Sequence, residues 1–462
     1  MFPGLARRNR IRRSSVTAPL LQSEMPTSRA QILEAQRDRL LSLLREALAA
    51  NPFYRSKLGG RVQEAGGLKA LEVRPLEEVL DVLPFTSKEE LLADQERAPP
   101  FGTNLTYALN RYTRIHQTSG STGRPLRWLD TPESWAWFLR GWAEVYRGAG
   151  VAAGDRVFFP FSFGPFVGFW AAFESAAEVG ALAIPAGGLT TSARIRLLIE
   201  TGATVVAATP TYALHMAQTA RAEGLDLSST SVRALIVAGE PGGSIPATRE
   251  RIEQAWGARV FDHCGMTETG PIGFECVEGP FGLHGIESEL ILEVIQPGSA
   301  ERAGWGPDPH VREGELVVTS LGRVGSPVLR YRTGDFVRLS TRPCPCGRSS
   351  VRLEGGILGR LDDMVFVRGN NVYPAAIEAI IRRFTEVDEY RATVCRQGAL
   401  SALQIEIEPQ AGAPESLAKQ IAAQVASAIE RELFFRAVVR PVPPGSLPRF
   451  ELKGKRFFKD RS

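Results

Sequence analysis

Lysine is scarce in this chain: seven lysines stand against forty-eight arginines in 462 residues. Cysteine is scarce too, and its odd count of five in a long chain argues against a disulfide framework and for a reducing compartment, read as the cytoplasm. Long apolar runs are missing. The most apolar window, FVGFWAAFESAAEVGALAIPA (166–186), is broken by Glu174 and Glu178, which excludes a membrane span. An excess of one charge is missing as well. Residues 1–23 hold five arginines and no acid, which takes the net charge of +4 to −1 for the rest. The body therefore lacks the basic field of a nucleic-acid binder.

A hydrophobic share of 44% and a charged share of 23% are those of an ordinary globular protein, and the length suits two or three domains. Residues 1–27 read as a basic disordered tail. A start at Met25, a transit peptide and a basic anchor are the other readings of RRNRIRR, and no apolar segment of a secretory signal follows it. Residues 28–358 are expected to form a large domain and residues 359–462 a small lid.

In the large domain, Ile32, Leu33, Leu40, Leu44 and Leu48 keep near-helical spacing up to the Asn51-Pro52 boundary. Four apolar runs, RVFFPFSF, GALAIPA, ATVVAAT and VRALIVAG, alternate with helical stretches and predict a mostly parallel sheet covered by helices. After 285 shorter alternating runs predict an antiparallel β subdomain. The expected fold class is thus α/β, with a small mobile α+β unit at the C-terminus. In that unit Leu417, Ile421, Val425 and Ile429 recur every fourth position, giving a helix one packed face.

The residues with chemistry fall in short glycine-rich stretches. TSGSTGRP (118–125) lacks the lysine of a P-loop, yet Gly120 and Gly123 free the backbone N–H groups to turn one way, and Thr118, Ser119, Ser121 and Thr122 add hydroxyls; that composition suits a polyphosphate. VAGEP (237–241) supplies Gly239, Glu240 and Pro241. DHCGMTETG (262–270) carries Thr267 and Glu268, the latter a candidate magnesium ligand. YRTGD ends in Asp335, able to accept from two ribose hydroxyls, and GRLDDMVFVRGNNVYP (359–374) contains Arg360 and Asp362. Three of the seven lysines, Lys453, Lys455 and Lys459, crowd the last ten residues.

These stretches, in this order and closing with LPRFELKGKR (447–456), resemble the adenylate-forming ligases, within them the phenylacetate–CoA ligase branch. The likeness runs from about residue 50 to the end. It implies activation of a carboxylic acid by ATP as an acyl-adenylate, with release of pyrophosphate, and then transfer to the thiol of coenzyme A. It implies that 118–123 wrap the phosphates, that Gly239–Pro241 and Asp262, His263, Cys264, Gly265 and Met266 flank the nucleotide, and that Thr267 and Glu268 serve catalysis with Mg2+. Asp335 and Arg360 would hold the ribose, Asp362 would be the hinge of the lid, and Lys453 (Lys455 as the alternative) would reach the reacting carboxylate and α-phosphate. The resemblance is compatible with a homodimer. A carrier-protein thiol or an amine as acceptor, and a non-catalytic nucleotide binder, are the alternatives.

Two features depart from or add to that pattern. An aromatic residue usual before the glycine of the 265–268 turn is replaced by Cys264, which offers no flat π surface; His263 or another residue would then take over the stacking. Cys276, His284, Cys344 and Cys346 form a set of three thiolates and one imidazole that suits a closed, structural zinc site, with ordinary reduced thiols as the other reading. Phe163, Phe166 and Trp170, with Gly187 and Gly188, are the candidate acyl pocket, an apolar slot for an aromatic acid.

Overall fold

The computed structural model describes residues 28–118, 124–304, 306–367, 370–397, 400–451 and 453–459. The tail 1–27 and positions Ser119, Gly120, Ser121, Thr122 and Gly123 lie outside them. No helix among the described residues is long and apolar enough to cross a membrane.

The first helix, Arg29–Ala50, opens on a capping box between Ser28 and Gln31. It stops at Asn51, whose side chain caps the next helix, Pro52–Glu64, by accepting from the Tyr54 N–H. Leu40, Leu44 and Ala47 are fully buried against Tyr54, Leu58 and Leu329.

Strands β1 (Arg114–Gln117) and β2 (Arg127–Asp130) pair antiparallel, and the phosphate-loop sequence lies between them along the chain. Then come β3 (Arg156–Phe159), β4 (Leu182–Pro185), β5 (Val205–Ala208), β6 (Ala234–Ala238), β7 (Arg259–Met266), β8 (Gly270–Phe274), β9 (Gly282–Gly285), β10 (Leu290–Ile295), β11 (Val311–Ser320), β12 (Tyr331–Ser340) and β13 (Arg352–Arg360). Among the described residues these eleven form one sheet in the order β10-β11-β12-β13-β9-β8-β7-β6-β5-β3-β4. The strands β4, β3, β5, β6 and β7 are parallel and joined by helices. Every residue of β5 is buried, as a strand covered on both faces requires. At β7 the sheet changes character: it is parallel to β6 and antiparallel to β8. The antiparallel strands therefore continue the parallel sheet instead of standing apart from it.

After β13 a single turn, Leu361–Asp363, leads to the hairpin β14 (Val365–Val367) and β15 (Asn370–Val372). Helix Pro374–Ile381, β16 (Val387–Gln397), β17 (Leu400–Pro409), helix Glu415–Leu433, β18 (Val438–Pro441) and β19 (Phe457–Lys459) complete a small unit whose sheet runs β18-β17-β16-β19. Ile421, Val425 and Ile429 bury one helix face against Val387, Ile405 and Ile407 of that sheet.

Candidate active site

The parallel strands β5, β6 and β7 end side by side, and their carboxyl ends open into loops that carry the candidate residues. That edge is where ligands of parallel sheets bind. Gly239, Glu240 and Pro241 follow β6; Met266, Thr267 and Glu268 follow β7; helix Pro210–Ala222 starts directly after β5. Gly239 has φ +94°, and a Cβ placed on it would lie 3.3 Å from the Lys453 Cε. The left-handed backbone favours glycine there, and a side chain would also press on the lysine stem.

Thr118 sits at the base of the phosphate-loop hairpin. Its N–H donates to the Leu126 carbonyl and its hydroxyl accepts from the Leu126 N–H, both at 3.0 Å. The Thr118 oxygen thus closes the hairpin. Below it, the buried Asp130 pairs with Arg323 at 2.7 Å, and Arg323 also donates to the carbonyls of Thr267 (2.6 Å) and Glu268 (3.0 Å). Glu268 is buried, with the Tyr331 hydroxyl 3.4 Å from its Oε1.

Asp335 lies on β12 opposite Arg360 of β13, and the two side chains meet at 3.1 Å. Burial pushes the Asp335 carboxyl up to about 6; Arg360 opposes this and Glu268 adds to it. Asp362 follows in the turn, exposed, 3.5 Å from Arg360. Strand β7 splits its residues by face. Cys264 feels the charges of Asp262 and Asp335, and burial with those charges raises its thiol far above the usual range. Asp262 is buried against Ser244 and pushed up to about 7, chiefly by burial. His263 points the other way: its ring packs on Trp142 at 4.5 Å, its Nδ1 is 2.8 Å from the Gly273 carbonyl, and burial holds its pKa down to about 4. His263 is therefore a core residue here, turned from the cleft by the two-residue period of the strand, so the stacking role expected for it is not supported. Gly265 has its Cα facing the Gly270 carbonyl, where a Cβ would come within 3.0 Å, and Met266 is half-buried.

Lys453 arrives from the small unit. Its stem lies beside Gly239, and desolvation among the surrounding elements pulls its ammonium below the usual lysine range, with the charge of Glu240 opposing that shift. The side chain as a whole stays exposed to solvent. Lys455 instead sets its ammonium over the Phe458 ring, 5.6 Å from the centroid.

The aromatic residues form one cluster. Phe163 meets Trp170 at 4.8 Å and Phe173 at 5.2 Å, Phe161 stacks on Phe169 at 4.1 Å, and Phe166 meets Phe169 edge-on at 6.1 Å. Trp170 is 37% exposed and donates from Nε1 to the Gly164 carbonyl. Gly187 presses on the Phe161 carbonyl, where a Cβ would sit at 3.0 Å, and the Gly188 N–H donates to the Ser162 hydroxyl.

At the far side of the sheet the ligand atoms of Cys276, His284, Cys344 and Cys346 all lie within 4.8 Å of one another. Cys276 and Cys344 sulfurs are 3.7 Å apart, and Cys346 Sγ is 3.4 Å from His284 Nε2. Tetrahedral zinc with ordinary bond lengths sets sulfur–sulfur and sulfur–nitrogen edges of about 3.8 and about 3.5 Å. The four residues fit such an ion. His284 Nδ1 lies 3.0 Å from Ser350 Oγ, which would fix the tautomer that leaves Nε2 free to ligate.

The family profile for AMP-binding enzymes matches residues 36–294, and the profile for the AMP-binding enzyme C-terminal domain matches residues 369–461. The chain belongs to the AMP-binding enzyme family. Among curated relatives of this AMP-binding enzyme, the phenylacetate-coenzyme A ligase of Thermus thermophilus is 29% identical over 451 residues, covering 94% of this chain and 97% of that protein. The phenylacetate-coenzyme A ligase of Escherichia coli is 30% identical over 438 residues, covering 92% and 94%. Among solved structures, 2-hydroxyisobutyryl-CoA ligase in the postadenylation state with 2-HIB-AMP matches with a TM-score of 0.87 at 29% identity, over 94% of this chain and 90% of that one. The same ligase with 2-HIB-AMP and CoA in the thioesterification state matches with a TM-score of 0.68 at 30% identity, over 94% and 91%.

Several residues around the candidate site were not foreseen: Asp130 and Arg323 behind Glu268, and Thr211, Arg194 and Arg456 around the lysine loop. The local sequence offers one weak signal for them, the place of Arg456 three residues after Lys453, at the end of the stretch 447–456.

Proposed function

We propose that this AMP-binding enzyme is an AMP-forming acid–CoA ligase. The observation that carries the reading is the placement of Lys453, from the small unit, beside Gly239 at the carboxyl ends of the parallel strands, next to the loop of Glu240 whose carboxylate accepts from the neighbouring Gly454 N–H. A carboxylate is a poor electrophile until one of its oxygens becomes a phosphate ester. In the first step the carboxylate oxygen attacks the α-phosphorus of ATP and the bond to the β-phosphate oxygen breaks, giving acyl-adenylate and pyrophosphate. Lys453 neutralises charge gathering on the carboxylate and α-phosphate, a role for a compact ammonium on a flexible stem. Asp335 accepts the ribose hydroxyls and Arg360 orients it. Glu268 is the carboxylate that would hold Mg2+, which supplies positive charge to the leaving phosphates. In the second step the coenzyme A thiol gives its proton to solvent, its sulfur attacks the acyl carbon, and the bond from that carbon to the phosphate oxygen breaks to release AMP.

The acid would enter beside Phe163, Phe166 and Trp170, and an aromatic acid suits that surface. A short acid is the second reading, because the rings already pack on one another at 4.1–5.2 Å and leave the cluster self-filled. Cys276, His284, Cys344 and Cys346 would hold zinc with no open position, so the ion would brace β9 and the 344–350 loop and take no part in the reaction. The reduced cysteines suit a cytoplasmic enzyme.

The test is thioester formation with ATP, Mg2+ and coenzyme A across benzoate, phenylacetate, cinnamate, octanoate and 2-hydroxyisobutyrate, read by mass. One acid class giving acyl-CoA supports the reading and names the substrate. Acyl-adenylate that accumulates without thioester would replace coenzyme A by another acceptor.

A further inference from the structure

The loop that carries Lys453 is gripped by the large unit at three points. The Gly454 N–H donates to Glu240 Oε2 at 2.7 Å, Arg456 Nη1 donates to Thr211 Oγ1 at 2.9 Å, and Arg194 Nη1 reaches Glu451 Oε2 at 3.3 Å. The other Glu240 oxygen accepts the Thr211 N–H at 2.8 Å. One carboxylate therefore takes a backbone donor from each unit. Thr211 lies in the first turn of helix Pro210–Ala222, so Glu240 also occupies the end of that helix where negative charge is favoured. The fit is close. A Cβ on Gly454 would strike the Arg456 guanidinium and lie 3.1 Å from the Thr211 hydroxyl. Arg456 is itself fixed by a two-point pair with Glu389 at 2.6 and 2.9 Å, so the loop is rigid on its own side.

These contacts belong to one placement of the small unit. The same solved ligase matches this chain at 0.87 in its postadenylation state and at 0.68 in its thioesterification state, with similar identity and coverage. The units are thus arranged here as in the former, and rotating the small unit would break all three grips together.

Building on the proposed two-step reaction, we propose that Glu240 and Thr211 are positioning residues that form a latch for the lysine loop, and that this latch biases the enzyme toward adenylation until it is released for thioester formation. A group that binds only one of two arrangements shifts their balance by its differential affinity. Each hydrogen bond here has the ordinary net worth of such a bond, about a few-fold to tenfold in population.

The test compares the full-length wild-type protein with Thr211→Val and Glu240→Gln. Valine keeps the shape and the backbone N–H but removes the acceptor of Arg456. Glutamine presents an amide to one of the two N–H donors that the carboxylate satisfied. Amide hydrogen exchange, without any ligand, is read in segment 453–459 and in helix Glu415–Leu433. In parallel, acid-dependent pyrophosphate exchange reports the first step, and thioester formation from the preformed adenylate of the accepted acid reports the second. The latch predicts three- to tenfold faster exchange at Gly454 with the helix unchanged in both variants. For Thr211→Val, whose side chain lies outside the nucleotide and acid sites, it also predicts a matching fall in the first step with a second step that is unchanged or faster. Glu240→Gln is read by exchange alone. Unchanged protection of Gly454 overturns the proposal. So does an equal fall in both steps for Thr211→Val, which would mark a structural role only. If the wild-type protein adenylates none of the acids, the proposed function falls, and exchange at Gly454 still decides whether the latch exists.

Discussion

Arg323 and Asp130, 193 residues apart, share a fully buried two-point ion pair: Nε to Oδ1 at 2.8 Å and Nη2 to Oδ2 at 2.7 Å. The remaining nitrogen, Nη1, binds the carbonyls of Thr267 and Glu268. One guanidinium thereby ties the strand leaving the phosphate-loop hairpin to the turn that presents Glu268. Trp128 and Phe138 cover its faces at 4.7 and 4.9 Å.

Removing that guanidinium leaves Asp130 buried and short of a partner. Arg323→Ala should cost about 3–5 kcal/mol in unfolding free energy, the usual cost of breaking a buried pair. Burial alone would raise the Asp130 carboxyl, but Arg323 and His116 together hold it below the usual range. A depressed folded pKa contributes stability above the unfolded value that is lost as pH falls through the folded one. The gap between wild type and variant should therefore shrink in acid. Denaturant titrations at pH 7.5 and pH 3.5 check this, and an equal gap at both would contradict it.

Gly239→Ala should slow adenylation with a modest loss of stability. The positive φ costs a side chain about 1–2 kcal/mol, and the new Cβ would press on the Lys453 stem at 3.3 Å. A ten- to hundredfold fall in kcat, with the thermal midpoint lowered by only a few degrees, is expected. An unchanged kcat would show that Lys453 does not work from this position.

Much of the fold is legible along the chain, since the apolar runs of β3, β4, β5 and β6 need only local reading. The joining of β9 to β13 is not, because Leu283 and Leu353 pair across 70 residues and no local pattern encodes that. The same holds for the arginines. Arg323 finds Asp130, Arg249 finds Glu275 and Arg330 finds Glu293, all buried, and nothing near these positions separates them from the many arginines at the surface. The direction of His263 was legible in principle: on a strand, Asp262 and Cys264 share one face and the residue between them takes the other. Thr118 reads as a phosphate ligand by composition, but its hydroxyl closes the hairpin with Leu126.

ATP affinity should depend on pH through Asp335. With its carboxyl raised to about 6, mainly by burial, the ionised form that accepts ribose hydroxyls is lost below that pH. KM for ATP should rise as pH falls from 7 to 5, by up to about tenfold per unit below 6, and Asp335→Asn should show a high and flat KM over the same range. A raised carboxyl pKa makes proton uptake favour the fold, so stability from this group increases as pH falls through that window. Weaker ATP binding at pH 5.5 would thus not reflect unfolding by Asp335. A KM independent of pH in the wild-type enzyme would remove Asp335 from the ribose site.

The cysteine–histidine cluster predicts about one zinc per chain in protein isolated without chelator. Prolonged chelation, or Cys276→Ser, should lower the thermal midpoint by several degrees and release the metal, as expected where binding energy is folding energy. Elemental analysis decides: metal-free protein with full stability would refute the site.

The reading of this AMP-binding enzyme as an acid-activating ligase stands or falls on which phosphate bond of ATP is broken. Nucleotide products should be separated after incubation with Mg2+ and the acid panel, for the wild type and Lys453→Ala. The account predicts AMP and pyrophosphate, formed only with an accepted acid and reduced about a hundred- to a thousandfold in the variant. ADP and phosphate, or pyrophosphate release that ignores both the acid and Lys453, would contradict it.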